Sequence, residues 1–393
     1  LAAVCEKNDK GSGLSSFQTL VVSTATRVGM GNLVGVVAAV SAGGAGAVFW
    51  MWVTALLGAS TSFVESTLAQ KYRQPDPLYG GWRGGPAYYL HVLAERKRGK
   101  KLKRSVVAAL FAVSGLICWC GISQVISNSV SSAFQNAFHV PPLATTLVLT
   151  AIAAVIVLRK NATVKSLDVM VPIMAVCYFV LTVGVVLFNL PKLPAVFGRI
   201  FAEAFGLRQA AAGGFGAVLM NGVKRGLFSN EAGLGSTPHA HALAKVERPQ
   251  DQGAVAILGV FVDTFVVLTL TGLVLITSGL IPQGMTGTAL TQAAFSQAFG
   301  GFGPIFIAVC MFFFAFSTII GWYFFGQSNF KALFGEKLLP VYSIIVVAFI
   351  LVGSTLKVDL VWALADLFNG LMAVPNLLAL LALAGVVVAI DRK

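Results

Sequence analysis

The stretch Asn221-Gly-Val-Lys-Arg-Gly-Leu-Phe-Ser-Asn-Glu-Ala-Gly-Leu-Gly-Ser-Thr-Pro238 decides the fold. It lies between long apolar runs, yet it carries Lys224, Arg225, Glu231 and four glycines. A glycine in a helix interior costs up to about 1 kcal/mol relative to alanine, so a continuous helix is not expected through Gly226, Gly233 and Gly235. Phe228-Ser229-Asn230 reads as a break. Ser229 or Asn230 would cap a second helix, with Glu231 in its first turn, where the dipole favours negative charge. At bilayer depth such a break survives only where protein or a water-filled cavity satisfies the freed backbone groups. A second stretch, Thr24-Ala-Thr-Arg-Val-Gly-Met-Gly-Asn-Leu-Val-Gly35, repeats the pattern early in the chain, with the interruption near residues 28–32. One Gly-interrupted segment at the start of each half is the sequence signature of a secondary transporter built from inverted repeats.

Composition agrees. Of 393 residues, 57% are hydrophobic and 11% charged, against about a quarter charged in a soluble domain. Residues 105–158 contain no Asp, Glu, Lys or Arg, and that is more than twice the roughly 20 residues one membrane helix needs. The alternating ten-residue segments of a membrane β-barrel are absent. The chain reads as an all-α polytopic membrane protein with about ten spans, near 14–40, 45–70, 106–133, 143–158, 167–190, 214–246, 253–279, 304–325, 340–356 and 360–390. The first and sixth are broken, and Pro375 kinks the tenth. Trp50 and Trp52 suit an interfacial belt. Short surface helices are expected after Gly84-Gly85-Pro86, over 195–207 and over 289–299. Residues 14–190 and 210–391 form the two five-helix repeats. Because five is odd, the second repeat is inverted relative to the first.

The net charge of +13 does not indicate nucleic acid. Ten of the 28 Lys and Arg fall within 71–104, beside membrane spans. With that loop in the cytoplasm, nineteen basic residues lie inside and only Lys192, Arg199, Arg208 and Lys357 outside. This is the positive-inside pattern, and it places the C-terminus in the cytoplasm. The five cysteines show no zinc or disulfide spacing. They read as small core residues. No nucleophile–base pair or metal cluster stands at membrane depth, so an enzyme is not expected. His239 and His241, two apart, point in different directions on a helix and make a poor metal pair.

Five blocks resemble the alanine/glycine:cation symporter family, in the family's order and over nearly the whole chain. They are Thr26-Arg-Val-Gly-Met-Gly-Asn-Leu-Val-Gly35, Gly46-Ala-Val-Phe-Trp-Met-Trp52, Gly84-Gly-Pro-Ala-Tyr-Tyr89, Gly226-Leu-Phe-Ser-Asn-Glu-Ala-Gly-Leu-Gly-Ser236 and Ala315-Phe-Ser-Thr-Ile-Ile-Gly-Trp322. The resemblance implies the leucine-transporter-like fold and sodium-coupled import of a small neutral amino acid, alanine or glycine, with Na⁺ the coupling ion and no other cofactor. A proton-coupled symporter of the same fold is the alternative. The family carries one more helix in front, and the start at Leu1 is read as cut. Met30 stands where the family more often has Thr, Ser or Val and would reshape the pocket.

For the substrate, the amides around Gly29, Met30 and Gly31 begin a half-helix whose positive end suits a carboxylate. The competing reading is a glycine packing face. The resemblance implies that the Gln124 amide binds the same carboxylate; otherwise it bonds a neighbouring helix. Asn221 faces the substrate amine or a neighbouring backbone. Trp322 walls the pocket. For Na⁺, a hard cation that prefers oxygen, the expected ligands are Ser317, Thr318, the Phe314 carbonyl and backbone carbonyls near Ala25 and Val28, although serine and threonine often only bond back to their own helix. Arg27, Glu65, Glu231 and Asp263 are charges at membrane depth and functional candidates by default. Pairing of Arg27 or Arg225 with Glu231 is the structural alternative.

Overall fold

The computed structural model describes residues 14–76, 81–158, 163–205, 214–281, 284–285, 287–353, 355–356 and 358–391. The polar start before Leu14 lies outside the described residues, as do Arg159, Lys160, Arg208, Lys357 and the last two residues, which entered the charge count.

The chain begins with α1 (Ser16–Arg27), fixed by a capping box in which Ser15 and Gln18 exchange side-chain and backbone bonds. After a break it resumes as a π-helical turn, Gly31–Gly35, and α2 (Val36–Gly43). Then come α3 (Gly46–Lys71), a hairpin of β1 (Gln74–Asp76) and β2 (Gly81–Arg83), and α4 (Pro86–Arg98). α5 (Val106–Phe138), α6 (Pro142–Leu158) and α7 (Thr163–Phe188) complete the first half. α7 turns by 69° into α8 (Leu193–Ala204).

The second half has the same order of lengths. α9 (Gly214–Asn230) and the four-residue α10 (Pro238–His241) make the interrupted span. The next span is α11 (Pro249–Phe261), a π segment Val262–Leu268 and α12 (Thr269–Thr277). α13 (Gly287–Phe299) is the connecting helix. α14 (Phe302–Phe334), α15 (Leu339–Gly353) and α16 (Val358–Asp391) follow. α5 and α14, third in each half, are both 33 residues long, and each precedes a shorter helix. Among the described residues these helices make the ten expected spans. Five of them cross without interruption by length and apolarity: α3, α5, Pro249–Thr277, α14 and the Leu360–Ile390 part of α16.

Two details differ from the sequence reading. The sixth span breaks after Asn230, not within residues 228–230, because Asn230 folds its side chain forward onto the Ala232 amide at 3.0 Å instead of capping a helix. Glu231 then takes a left-handed φ of 56°, and regular helix returns only at Pro238, for four residues. The long second half-helix expected to residue 246 is therefore a turn-rich strap, ending in a single parallel bridge from Leu14 to Ala244. Trp50 and Trp52 do not merely line an interface. Their indole N–H groups donate to the Ala204 carbonyl and the Thr269 hydroxyl, both at 2.8 Å, and tie α3 to α8 and α12. Pro375 lies inside α16, as expected.

α3 packs on α8, α9 and α11, and α5 on α14, α15 and α16. Close approach depends on missing side chains. A Cβ on Gly46 would stand 2.4 Å from the Ala204 amide nitrogen, whereas one on Gly216 meets nothing within 4 Å. Gly46→Ala should therefore cost about 1–3 kcal/mol of stability through overpacking, and Gly216→Ala should leave it unchanged or raised. Melting of each purified variant in detergent checks the pair.

Candidate functional site

The first break is set by where three polar groups turn. In a continuous helix the Gly29 amide would donate to the Ala25 carbonyl and the Asn32 amide to the Val28 carbonyl. Here Gly29 donates to Arg27 at 3.0 Å and Asn32 to Gly29 at 3.2 Å. The Ala25 and Val28 carbonyls are thereby released from helical pairing. The Asn32 side chain caps the break, donating to the Arg27 carbonyl at 3.0 Å and to Asp263 Oδ1 at 2.7 Å. Met30 and its flanking glycines are buried.

The second break meets the first directly. A Cβ on Gly31 would stand 2.9 Å from the Ser229 Cα, so only glycine permits the crossing. The Ser229 hydroxyl lies 3.1 Å from both carboxylate oxygens of Asp263, which also accepts from Thr264 at 3.0 Å. Asp263 sits in the π segment of the seventh span and reaches both breaks at once. The turn itself is held from outside. Glu65 of α3 accepts the Gly233 amide at 3.1 Å and the Asn376 amide at 3.0 Å. Asn376, the residue after Pro375, also donates to the Gly233 carbonyl at 3.0 Å and is bonded by the Tyr89 hydroxyl. Both polar groups of Gly233 are thus satisfied by side chains from α3 and α16.

The charges pair differently from expectation. Arg27 is fully buried and donates to the Ala256 carbonyl, Ser62 and Thr237 at 2.9–3.3 Å. Arg225 grips Asp366 with two bonds, 3.0 and 2.9 Å, and lies 4.0 Å from the Trp362 ring centre. Among the described residues neither arginine forms an ion pair with Glu231, whose Oε2 takes the Ser236 hydroxyl. His239 and His241 are both buried. They face different partners, Asn329 and Gln252.

α14 closes the other side of the first break. Gly321 admits Thr26 so closely that a Cβ would stand 2.3 Å from the Thr26 methyl. One turn earlier, the Thr318 hydroxyl is buried with no hydrogen-bond partner, and the Ser317 hydroxyl reaches the Phe314 carbonyl at 3.0 Å. Trp322 meets Trp119 of α5 edge to face at 5.8 Å. Gln124 is buried further along α5, its backbone against Gly353 of α15. The structure therefore brings Gly31, next to Gly29 and Met30 in the first break, against the second break and sets α14 beside α1. Asn221 stands apart. It bonds back to the Ala217 carbonyl at 2.9 Å, nine residues and so about 14 Å of helix before Asn230.

Asn221 lines a cavity of about 1010 Å³ between the ends of α2, α5, α9, α13 and α16 that lie away from the basic 71–104 segment. Between this cavity and the breaks stands a layer of Arg225, Trp362 and Phe228, with Phe228 5.1 Å from the Trp362 ring. Asn376, Asp366 and Ser229 are the participants that sequence reasoning missed. Asn376 and Asp366 had a visible signal, a polar residue in an apolar span. Ser229 was read only as a cap.

A model of the sodium:alanine symporter family matches residues 1–393. The amino-acid carrier protein AlsT of Bacillus subtilis is 42% identical over 388 residues, 98% of this chain and 81% of that protein. The probable sodium/glutamine symporter GlnT of the same organism is 42% identical over 381 residues, covering 96% and 77%. The sodium/alanine symporter AgcS of Methanococcus maripaludis is 41% identical over 386 residues, covering 96% and 83%. Among solved structures, MhsT in complex with L-phenylalanine superposes with a TM-score of 0.66 at 13% identity, over 94% of this chain and 89% of that one. The fold is that of the leucine-transporter group, two inverted five-helix repeats with two broken helices.

Glu65→Ala strands the Gly233 amide and one Asn376 donor, at a cost of about 1–3 kcal/mol. Asn376→Ala should cost a similar amount, and the double variant less than their sum. Thermal melts of the three variants decide this; additive losses would mean the two side chains hold the turn independently.

Proposed function

The chain belongs to the sodium:alanine symporter family, and we propose that it imports a small neutral amino acid, alanine first, together with Na⁺. It is a secondary transporter and not an enzyme. One coincidence carries the ion assignment: the unpartnered Thr318 hydroxyl is buried one turn from the contact of α14 with α1, where the Ala25 and Val28 carbonyls are released. A buried hydroxyl without a partner carries a desolvation cost, and a hard cation seated among oxygens removes it. Phe314 and Ser317 complete the proposed ligand set.

The substrate carboxylate would lie on the amides at Gly29, Met30 and Gly31, where the half-helix dipole is positive. Gln124 would add an amide donor, and Trp322, with Trp119 against it, would limit the side chain to small groups. Asn221, on the cavity wall, would guide the substrate's approach. The repeats would be 14–190 and 210–391. With the 71–104 segment and the C-terminus in the cytoplasm of a prokaryotic inner membrane, the large cavity opens outward. Each positive charge entering adds about 2.3 kcal/mol per 100 mV of driving force. Proton coupling has one observation in its favour, the buried Oε1 of Glu231, which makes no hydrogen bond.

Alanine uptake into proteoliposomes tests the reading. Accumulation above equilibrium under an inward Na⁺ gradient at fixed pH is expected. Accumulation driven by a pH gradient alone would move the coupling to Glu231. Thr318→Ala should raise the half-saturating Na⁺ concentration, and Gln124→Ala the KM for alanine. Each should lower uptake about tenfold or more, a loss of about 1.4 kcal/mol. Unchanged uptake in both would remove these residues from the site.

A further inference from the structure

The geometry points to a binding site for the phosphate of an anionic phospholipid headgroup, in a cavity of about 250 Å³ where α4, the start of α5 and the end of α14 meet. The site lies on the face that carries the basic 71–104 segment and is independent of the cargo. Four cationic side chains, Arg83, Lys103, Arg104 and Lys331, line the cavity, and among the described residues no carboxylate does. Two of the four are engaged. Lys331 is buried and holds Asp76 at 2.7 Å, and Arg83 reaches Glu336 at 3.3 Å. The next acidic group, Glu95, accepts the Leu102 amide at 2.9 Å and faces His91 at 3.4 Å. Lys103 and Arg104 are exposed and form no ion pair among the described residues. Their two charges are the ones open to an anion.

Polar groups converge on the same space. The Tyr88 hydroxyl and Arg83 Nε are buried at the cavity wall with no hydrogen-bond partner. Buried donors so left carry a desolvation cost that an acceptor oxygen removes. α5 also begins here. Ser105 caps it by accepting from the Ala108 amide at 3.4 Å, which leaves the Val106 and Val107 amides without an intrahelical partner. They lie at the positive end of a 33-residue helix, where phosphate oxygens are favoured. The neighbouring face of α5 makes the phosphate a lipid's. Val106, Leu110, Val113 and Ile117, about one turn apart, are 80, 55, 43 and 42% exposed, and the stripe starts directly after Lys103 and Arg104. An acyl chain can lie along that stripe while its phosphate sits in the cavity. A free phosphate gains nothing from it.

The test is native mass spectrometry of the purified, delipidated protein titrated with dioleoyl phosphatidylglycerol or dioleoyl phosphatidylcholine. The first phosphatidylglycerol should bind about tenfold tighter than the first phosphatidylcholine. Lys103→Gln with Arg104→Gln, changes at exposed side chains, should abolish that preference. Lys97→Gln with Arg98→Gln removes the same charge from the same segment at exposed positions outside the cavity, and should leave the preference within about twofold of the wild type. Equal binding of the two lipids by the wild type, or a preference that both variants lose alike or both retain, overturns the site. Inorganic phosphate in excess, against chloride at equal ionic strength, should not displace the lipid. Displacement would make this a site for the free anion and overturn the lipid assignment.

Discussion

A backbone group at bilayer depth has no water to turn to, and this fold interrupts two helices there. Much of the polar chemistry around the breaks answers that constraint. Asn32 closes the first break on the Arg27 carbonyl, and Asn230 starts the second by binding forward to Ala232. Glu65 and Asn376 hold Gly233 by both its amide and its carbonyl. Asp263 binds the two breaks to each other through Asn32 and Ser229. The glycine at position 31 lets the two chains touch. Without these contacts the breaks would carry a large desolvation cost; with them, the Thr318 hydroxyl on α14 is buried beside the first break with no hydrogen-bond partner.

The charges around the breaks follow the same logic. A buried ion is tolerated when its donors or acceptors are filled. Arg27 has three acceptors, and Glu65 and Asp263 have several donors. Where all three core carboxylates, Glu65, Glu231 and Asp263, are ionised, they outnumber the one guanidinium by two. Farther out, Arg225, Trp362 and Phe228 separate this polar core from the cavity.

Much of this was legible in the sequence. The ten spans follow from hydropathy and the two interruptions from glycines beside polar residues, because those signals are local. The second interruption was misplaced by a few residues, since Asn230 serves a turn as readily as a helix cap and only tertiary contacts decide which. Partner choice was less legible. Arg225 and Glu231 are six residues apart and looked like a pair, yet Arg225 reaches Asp366, 141 residues away. Glu65 and Asn376 are 311 residues apart. No periodicity encodes such contacts; the first forms within the second half of the chain, the second where the two halves close on each other. Asn221 shows the converse. Its closeness in sequence to the break gives it no closeness in space.

If the two breaks and α14 form one coupled site, sodium and alanine must strengthen each other's binding. Equilibrium binding of alanine to the purified protein, measured across Na⁺ concentrations, and of Na⁺ across alanine concentrations, tests this most directly. Linkage requires the same factor in both directions, and a shared site makes that factor greater than one. Alanine affinity independent of Na⁺ would contradict the assignment of the breaks as a joint binding site.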